Sequence, residues 1–169
     1  FGFKKDTLIG SLDQPNPWNT SWIEFFRDHR LNYMAEQALM SGRLPENMFY
    51  RIRELSDRLD GWITEPAKAS LIHGDLWRGN VLSKGDRIAG FIDPAIYYAN
   101  SEIELAFVTL FNTFNDSFFA RYNERRPVSA GFFETRRDIY NLFPLLVHIC
   151  LFGGSYVKRV ETILLRFGY

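Results

Sequence analysis

Cysteine is nearly missing from this chain, with Cys150 standing alone. That excludes an internal disulfide framework and any multi-cysteine metal site, and it fits a reducing compartment. Net charge is missing too: 20 Lys and Arg offset 20 Asp and Glu over 169 residues. A neutral chain has no general electrostatic pull toward nucleic acid or an anionic membrane, so neither is an expected partner. Long apolar runs are also absent. The longest, Leu142 to Phe152, carries Pro144 and His148 and falls far short of the roughly 20 residues that span a bilayer. No basic-then-apolar leader pattern opens the chain, and the cytoplasm is the expected location. The chain starts with Phe1 rather than methionine, as a piece cut from something longer would. Core material is plentiful: 46% of residues are hydrophobic, enough for one domain with a substantial interior.

Periodicity predicts a mainly α chain with one small β-hairpin. Ser21 and Glu24 read as a capping box before an apolar pattern at Trp22, Phe25, Phe26, Tyr33, Met34 and Ala38, giving a long helix that ends near Gly42. Pro45 suits the first turn of a second helix, with Met48, Ile52, Leu55 and Leu59 inward and Gly61 as its stop. Val81-Leu82 and Ile88 to Ile92 can pair around Lys84-Gly85-Asp86, which brings Asn80 and Asp93 to adjacent strand ends. Ser101 and Glu104 read as another capping box, and further helices are expected over 117–124, 132–152 with a kink near Pro144, and 156–167.

Between those helices lies the stretch Leu71-Ile72-His73-Gly74-Asp75-Leu76-Trp77-Arg78-Gly79-Asn80-Val81-Leu82, followed by Phe91-Ile92-Asp93-Pro94. Phosphoryl transfer needs an acceptor hydroxyl held in line, a carboxylate to take its proton late, and divalent metal on the phosphate oxygens. The spacing His-x-Asp-x-x-x-x-Asn brings an acid, Asp75, and an amide oxygen, Asn80, into one pocket, and Asp93 at the end of an apolar run can supply a second acid. Asp75 is the candidate base, and Asn80 with Asp93 the candidate Mg²⁺ ligands, since hard oxygen donors suit that ion. His73 reads as an internal hydrogen-bonder that shapes the loop rather than a proton shuttle.

With these residues in view, the chain resembles the C-terminal lobe of the fructosamine (ketosamine) kinase family, within the aminoglycoside phosphotransferase and protein-kinase-like fold. The match runs nearly end to end: Asn16-x-Trp18 with Trp22-x-x-Phe25-Phe26, His73-Gly74-Asp75-Leu76-Trp77 as catalytic loop (71–82), Asp93-Pro94-Ala95 with Tyr97-Tyr98 as metal segment (91–98), and His148 with Phe152-Gly153-Gly154. The resemblance implies one helical C-lobe over 1–169. It implies ATP and Mg²⁺ as cofactors, and phosphorylation of a sugar hydroxyl on a ketosamine, free or attached to protein. Another hydroxylated amine, such as an aminoglycoside or choline, is the alternative acceptor. Departures occur at Arg78, Ala99, Ser101 and Glu104, where the family pattern has a small or polar residue, glycine, arginine and aspartate.

No segment before Leu71 offers a glycine-rich phosphate loop: Ile9-Gly10-Ser11 is isolated, and Lys4-Lys5 lacks a strand-helix context. The ATP-binding N-terminal lobe is therefore expected to be missing from this chain and to pack against it, and an isolated, non-catalytic C-lobe is the competing reading. Trp77 is either core or, as the resemblance implies, a flat face for the sugar. His148 is either a buried, paired side chain or a hydrogen-bonding partner of the sugar. Arg78 is either solvated or a phosphate ligand. Glu102 and Glu104 read as first-turn helix charges. The phenylalanines from Phe111 to Phe119 are core by default, or a face that another lobe covers.

Overall fold

The computed structural model describes residues 1–169. In chain order, strands β1 (Thr7–Ile9) and β2 (Leu12–Gln14) precede helix α1 (Trp22–Phe26), a π-helical turn (Arg27–Asn32), α2 (Tyr33–Met40) and α3 (Glu46–Ser56). Strands β3 (Ser70–Ile72), β4 (Val81–Lys84), β5 (Arg87–Phe91) and β6 (Tyr97–Ala99) follow, then α4 (Glu102–Leu110), α5 (Asp116–Arg125), a second π-helical turn (Phe132–Arg136), α6 (Arg137–Phe152) and α7 (Ser155–Arg166). Helix α6 is the central post, with α2, α4 and α7 packed on it. The fold is mainly α as expected, but it holds three two-stranded antiparallel sheets, β1-β2, β3-β6 and β4-β5, instead of one hairpin. Strands of three residues are too short to show a period, which is why two of the pairs are invisible in sequence.

Trp22 to Met40 forms the expected long helical run and ends before Gly42, whose φ is +70°. Its start is only half a capping box. Ser21 Oγ accepts from Glu24 N–H at 3.2 Å, but the returning carboxylate is that of Glu65, which takes Ser21 Oγ and the N–H groups of Trp22 and Ile23. Burial opposes ionisation of Glu65, yet those bonds outweigh it and hold the carboxyl below its usual range. Helix α3 also shifts from expectation. Pro45 is its extended cap residue rather than part of the first turn, and the helix stops at Ser56, with Gly61 in a separate 3-10 turn. Ser101 caps nothing with its side chain; Asn100 Oδ1 accepts from Glu102 N–H at 3.0 Å instead. Glu104 has a different task, described below.

The π-helical turn after α1 lets three successive side chains, Arg30, Leu31 and Asn32, face inward. Arg30 is fully buried with no acid beside it. It donates to the carbonyls of Pro15 (2.8 Å) and His29 (2.7 Å) and to Asn16 Oδ1 (2.6 Å), and its guanidinium lies 3.8 Å from the Tyr97 ring centroid. The N-terminal arm is thereby fastened to β6. At the far side of the core, Trp22 Nε1 donates to Tyr140 Oη at 3.0 Å, tying α1 to α6. Cys150 is buried beside Met34, and its thiol pKa is pushed up to about 11, so it is a core residue with little thiolate character.

The phenylalanines from Phe111 to Phe119 are half-buried against one another, with Phe114 and Phe118 stacked at 4.5 Å. Open apolar side chains lie elsewhere, at Leu82, Ile88, Phe91 and Ile92 along the β4-β5 hairpin and at Leu8, Leu71 and Trp18. No helix is long and apolar enough to cross a membrane.

Removing Arg30 strands three oxygens and opens a cavity. We expect Arg30→Ala to lose about 2–5 kcal/mol in urea unfolding, with lysine recovering only part because it lacks the planar fork. A loss under about 0.5 kcal/mol would show that the guanidinium does not hold the arm.

Candidate active site

Two strand pairs bring the loop after β3 against the segment before β6. Ile72 is opposite Tyr97 in the β3-β6 ladder, and Val81 is opposite Phe91 in β4-β5. Ile92 N–H then donates to the Asn80 carbonyl at 3.1 Å, so Asn80 and Asp93 leave the hairpin side by side, as its spacing predicts. The two loops approach so closely that a Cβ on Gly74, whose φ is +82°, would lie 2.1 Å from the Ala95 carbonyl oxygen. Only glycine fits there.

Within this frame Asn80 is buried and its Nδ2 donates to both the backbone oxygen and Oδ2 of Asp75, each at 2.9 Å. Asp75 is half-buried. Burial pushes its carboxyl above the usual range, against the opposing pull of the Asn80 bond. Asp75 Oδ1 and Asn80 Oδ1 are left free of protein hydrogen bonds. Asp93 is exposed and sits at φ +55°, in the left-handed region that aspartate tolerates better than most residues. Asp75 and Asp93 line one cleft of about 560 Å³.

His73 is locked in one tautomer. A carbonyl can only accept, so Nε2–H donates to Ile92 O at 2.9 Å, leaving Nδ1 to accept from Asp75 N–H at 3.3 Å. Both nitrogens are occupied in shaping the loop. Beneath it, Glu104 Oε1 accepts from His73 N–H at 2.7 Å and Oε2 from Gly74 N–H at 3.0 Å. This carboxylate lies in the first turn of α4, as expected, but instead of capping that helix it anchors the loop backbone. Glu102 is not a free first-turn charge either, for it forms a two-pronged pair with Arg136 at 2.7 Å per bond.

Trp77 and His148 meet through Phe111, whose ring centroid is 6.4 Å from Trp77 and 5.0 Å from His148. Trp77 is 42% exposed, so it is not core. Gly79 makes room for it, since a Cβ there would lie 2.4 Å from the indole. His148 Nδ1 donates to Pro144 O at 2.7 Å, and Nε2 has no protein partner. Burial pulls the His148 pKa below its usual value, with the Pro144 bond and Asp75 opposing. In the neutral ring Nε2 is therefore a free acceptor.

Arg78 is not brought to the cleft. It is exposed, its side chain makes no hydrogen bond, and it borders a separate hollow with Asn112 to Asp116 and Phe118. Four contributors went unread in the sequence. Lys5, Asp6 and Asp13 of the N-terminal arm and hairpin complete the cleft wall, and Gln14 Nε2 donates to Ala95 O at 3.1 Å from 81 positions away. No local spacing signals such contacts. Ala99 is buried in the β6 ladder, and nothing in the structure explains Ser101.

The anchoring role of Glu104 predicts that Glu104→Ala loses about 2–4 kcal/mol and raises amide exchange at His73 and Gly74 at least about tenfold. Unchanged exchange at both would remove that role. For His148, whose folded pKa lies below the ordinary value of about 6.5, the unfolded chain binds the proton first as pH falls. Its stabilising contribution is present above about pH 6.5 and is lost as pH falls through the folded value. Melts from about pH 7.5 to about pH 5 should show this limb reduced in His148→Gln, with the part due to His29, whose pKa burial also lowers, remaining.

Comparison with known proteins fits this geometry. A family model described as fructosamine kinase matches residues 1–167. A probable ketoamine kinase of Synechocystis sp. is 37% identical over 170 aligned positions, covering 97% of this chain and 54% of that protein. A chloroplastic protein-ribulosamine 3-kinase of Oryza sativa subsp. indica is 36% identical, covering 97% of this chain and 47% of the relative. A crystal structure of a provisionally assigned fructosamine-3-kinase from Thermobifida fusca superposes with a TM-score of 0.88 at 34% identity, covering 98% of this chain and 58% of that one. The chain spans about half the length of the curated relatives it matches. With all but its last two residues inside the family match, and a fold shared with a solved relative, the chain belongs to the fructosamine kinase family.

Proposed function

We propose that this chain is the C-terminal lobe of an ATP-dependent phosphotransferase that acts on a sugar hydroxyl of a ketosamine. The observation that carries the reading is the Asp75–Asn80 hydrogen bond beside Asp93 in one cleft. Asp75 Oδ1, free of protein partners and next to a bound Oδ2, orients the acceptor hydroxyl and receives its proton. The Trp77 face packs against the sugar ring, and His148 Nε2 accepts a hydrogen bond from one of its hydroxyls.

The donor set fits Mg²⁺. Asn80 Oδ1 and the Asp93 carboxylate are hard oxygens, and two protein ligands with water and nucleotide phosphates making up the rest is the usual arrangement for that ion. When bound, the metal neutralises charge on the phosphate oxygens. The nucleotide is held by an N-terminal lobe outside this chain, consistent with its half-length coverage of the relatives. That lobe packs over the open apolar side chains of the β4-β5 hairpin. One neutral chain with a single buried thiol suits the cytoplasm, although the rice relative is chloroplastic.

The test is phosphorylation by the full-length protein across a panel of acceptors. A ketosamine is consumed with Mg²⁺-ATP; Asp93→Ala removes metal-dependent turnover, and Asp75→Asn lowers kcat about 10²- to 10⁴-fold with ATP binding retained. Wild-type turnover by Asp75→Asn would exclude the proposed base. Phosphorylation of an aminoglycoside and of no ketosamine would reassign the substrate. The 169-residue chain alone is expected to show no sustained ATP turnover.

A further inference from the structure

The exposed Asp93 carboxylate takes no hydrogen bond from the chain, so its backbone alone decides where it points. On the upstream side that backbone is tied into the 73–80 loop. Ile92 N–H donates to Asn80 O at 3.1 Å, and Ile92 O accepts from His73 Nε2 at 2.9 Å. On the downstream side Pro94 has no N–H to offer, and the first hydrogen bond is the one that Ala95 O accepts from Gln14 Nε2 at 3.1 Å. Gly74 presses on the same carbonyl from the loop, too closely for any Cβ. Ala95 O is thus clamped between the 73–80 loop and one side chain of β2.

That side chain is an unusual choice for its place. Gln14 is 1% exposed, and its Oε1 is buried without a partner. A carbonyl only accepts, so the amide nitrogen must face Ala95, and its second N–H goes to Thr7 Oγ1 at 2.9 Å. A buried, unpaired amide oxygen is costly, and methionine would fill a similar volume without that cost. Packing therefore does not account for an amide at this position. The bond to Ala95 does.

We propose that Gln14 is a positioning residue for the metal-binding acid: by pinning Ala95 O it holds Asp93 in the left-handed conformation from which the carboxylate serves Mg²⁺ together with Asn80 Oδ1. The proposal rests on the metal role given to Asp93 above. Without the clamp, Asp93 relaxes toward the negative φ that L-residues favour, and the pair of oxygen ligands comes apart. Because Gln14 acts from 81 positions away, metal binding is conditional on the N-terminal hairpin being seated.

Calorimetric titration of the full-length protein with the non-hydrolysable ATP analogue AMP-PNP, once in EDTA and once in Mg²⁺, gives the factor by which metal strengthens nucleotide binding. That factor should fall about fivefold or more in Gln14→Met, with the affinity in EDTA unchanged. Leu164→Ala truncates the buried core in α7, lowers the melting temperature without touching the clamp, and should keep the wild-type factor. A wild-type factor in Gln14→Met, or an equal loss in Leu164→Ala, would overturn the proposal. If Gln14→Met does not fold, Thr7→Val decides: it removes the oxygen that steadies the second amide N–H and should lower the factor about twofold or more, and an unchanged factor would again overturn the proposal. An Asp93→Ala protein that kept the wild-type factor would reject the metal role of Asp93 and the proposal with it. Loss of the factor in Asp93→Ala but not in Gln14→Met would reject the proposal alone.

Discussion

The candidate cleft depends on one carboxylate beneath a loop. A tight turn such as His73-Gly74-Asp75 has backbone N–H groups that no strand or helix takes up, and an unpaired buried N–H is costly. Glu104 accepts two of them from a rigid helix that is itself packed on α6. The loop is therefore referenced to the helical core rather than to its own flexible neighbours. Everything the cleft needs follows from that reference: the His73 tautomer, the direction of the Asp75 carboxylate and the reach of Asn80. The two oxygens of Glu104 span two adjacent N–H groups.

The facing segment is fixed by a separate set of contacts. Arg30 stacks on Tyr97, and Gln14 donates to Ala95 O, so the arm and first hairpin brace the backbone that carries Asp93. Asp93 itself sits at positive φ, a conformation that persists only where its surroundings impose it. A buried guanidinium without a counter-ion is expensive, and its carbonyl and aromatic partners offset that cost at the junction where arm, long helix and the segment 91–98 meet.

What could be read from the sequence was what neighbours in the chain decide. The β4-β5 hairpin, the helical run from Trp22 to Met40 and the adjacency of Asn80 and Asp93 all follow from spacing over a few residues. The interactions that went unread join distant segments. Glu65 completes a cap from 44 positions away, and Glu104 meets His73 across 31. Ser21-x-x-Glu24 and Ser101-x-x-Glu104 look alike on paper, and what differs is the carboxylate or backbone that another segment presents to each. Trp77 and His148 were legible as candidates, but not their shared contact with Phe111, which depends on the packing of α4 against α6.

The pairing of Gly2 with Tyr98 carries a consequence for how this molecule comes into being. The arm around Gly2 cannot find its place until the strand after Asp93 has been made, because its partner Tyr98 lies 96 positions further along the chain. Closing so long a loop is slow compared with forming α2 or the β4-β5 hairpin. The 73–80 loop, whose partner Glu104 lies about 30 positions on, can thus take shape before the wall formed by the arm arrives. A partly unfolded chain would hold Asp75 and Asn80 together without a closed cleft around them, so the cleft marks the completion of folding rather than its onset.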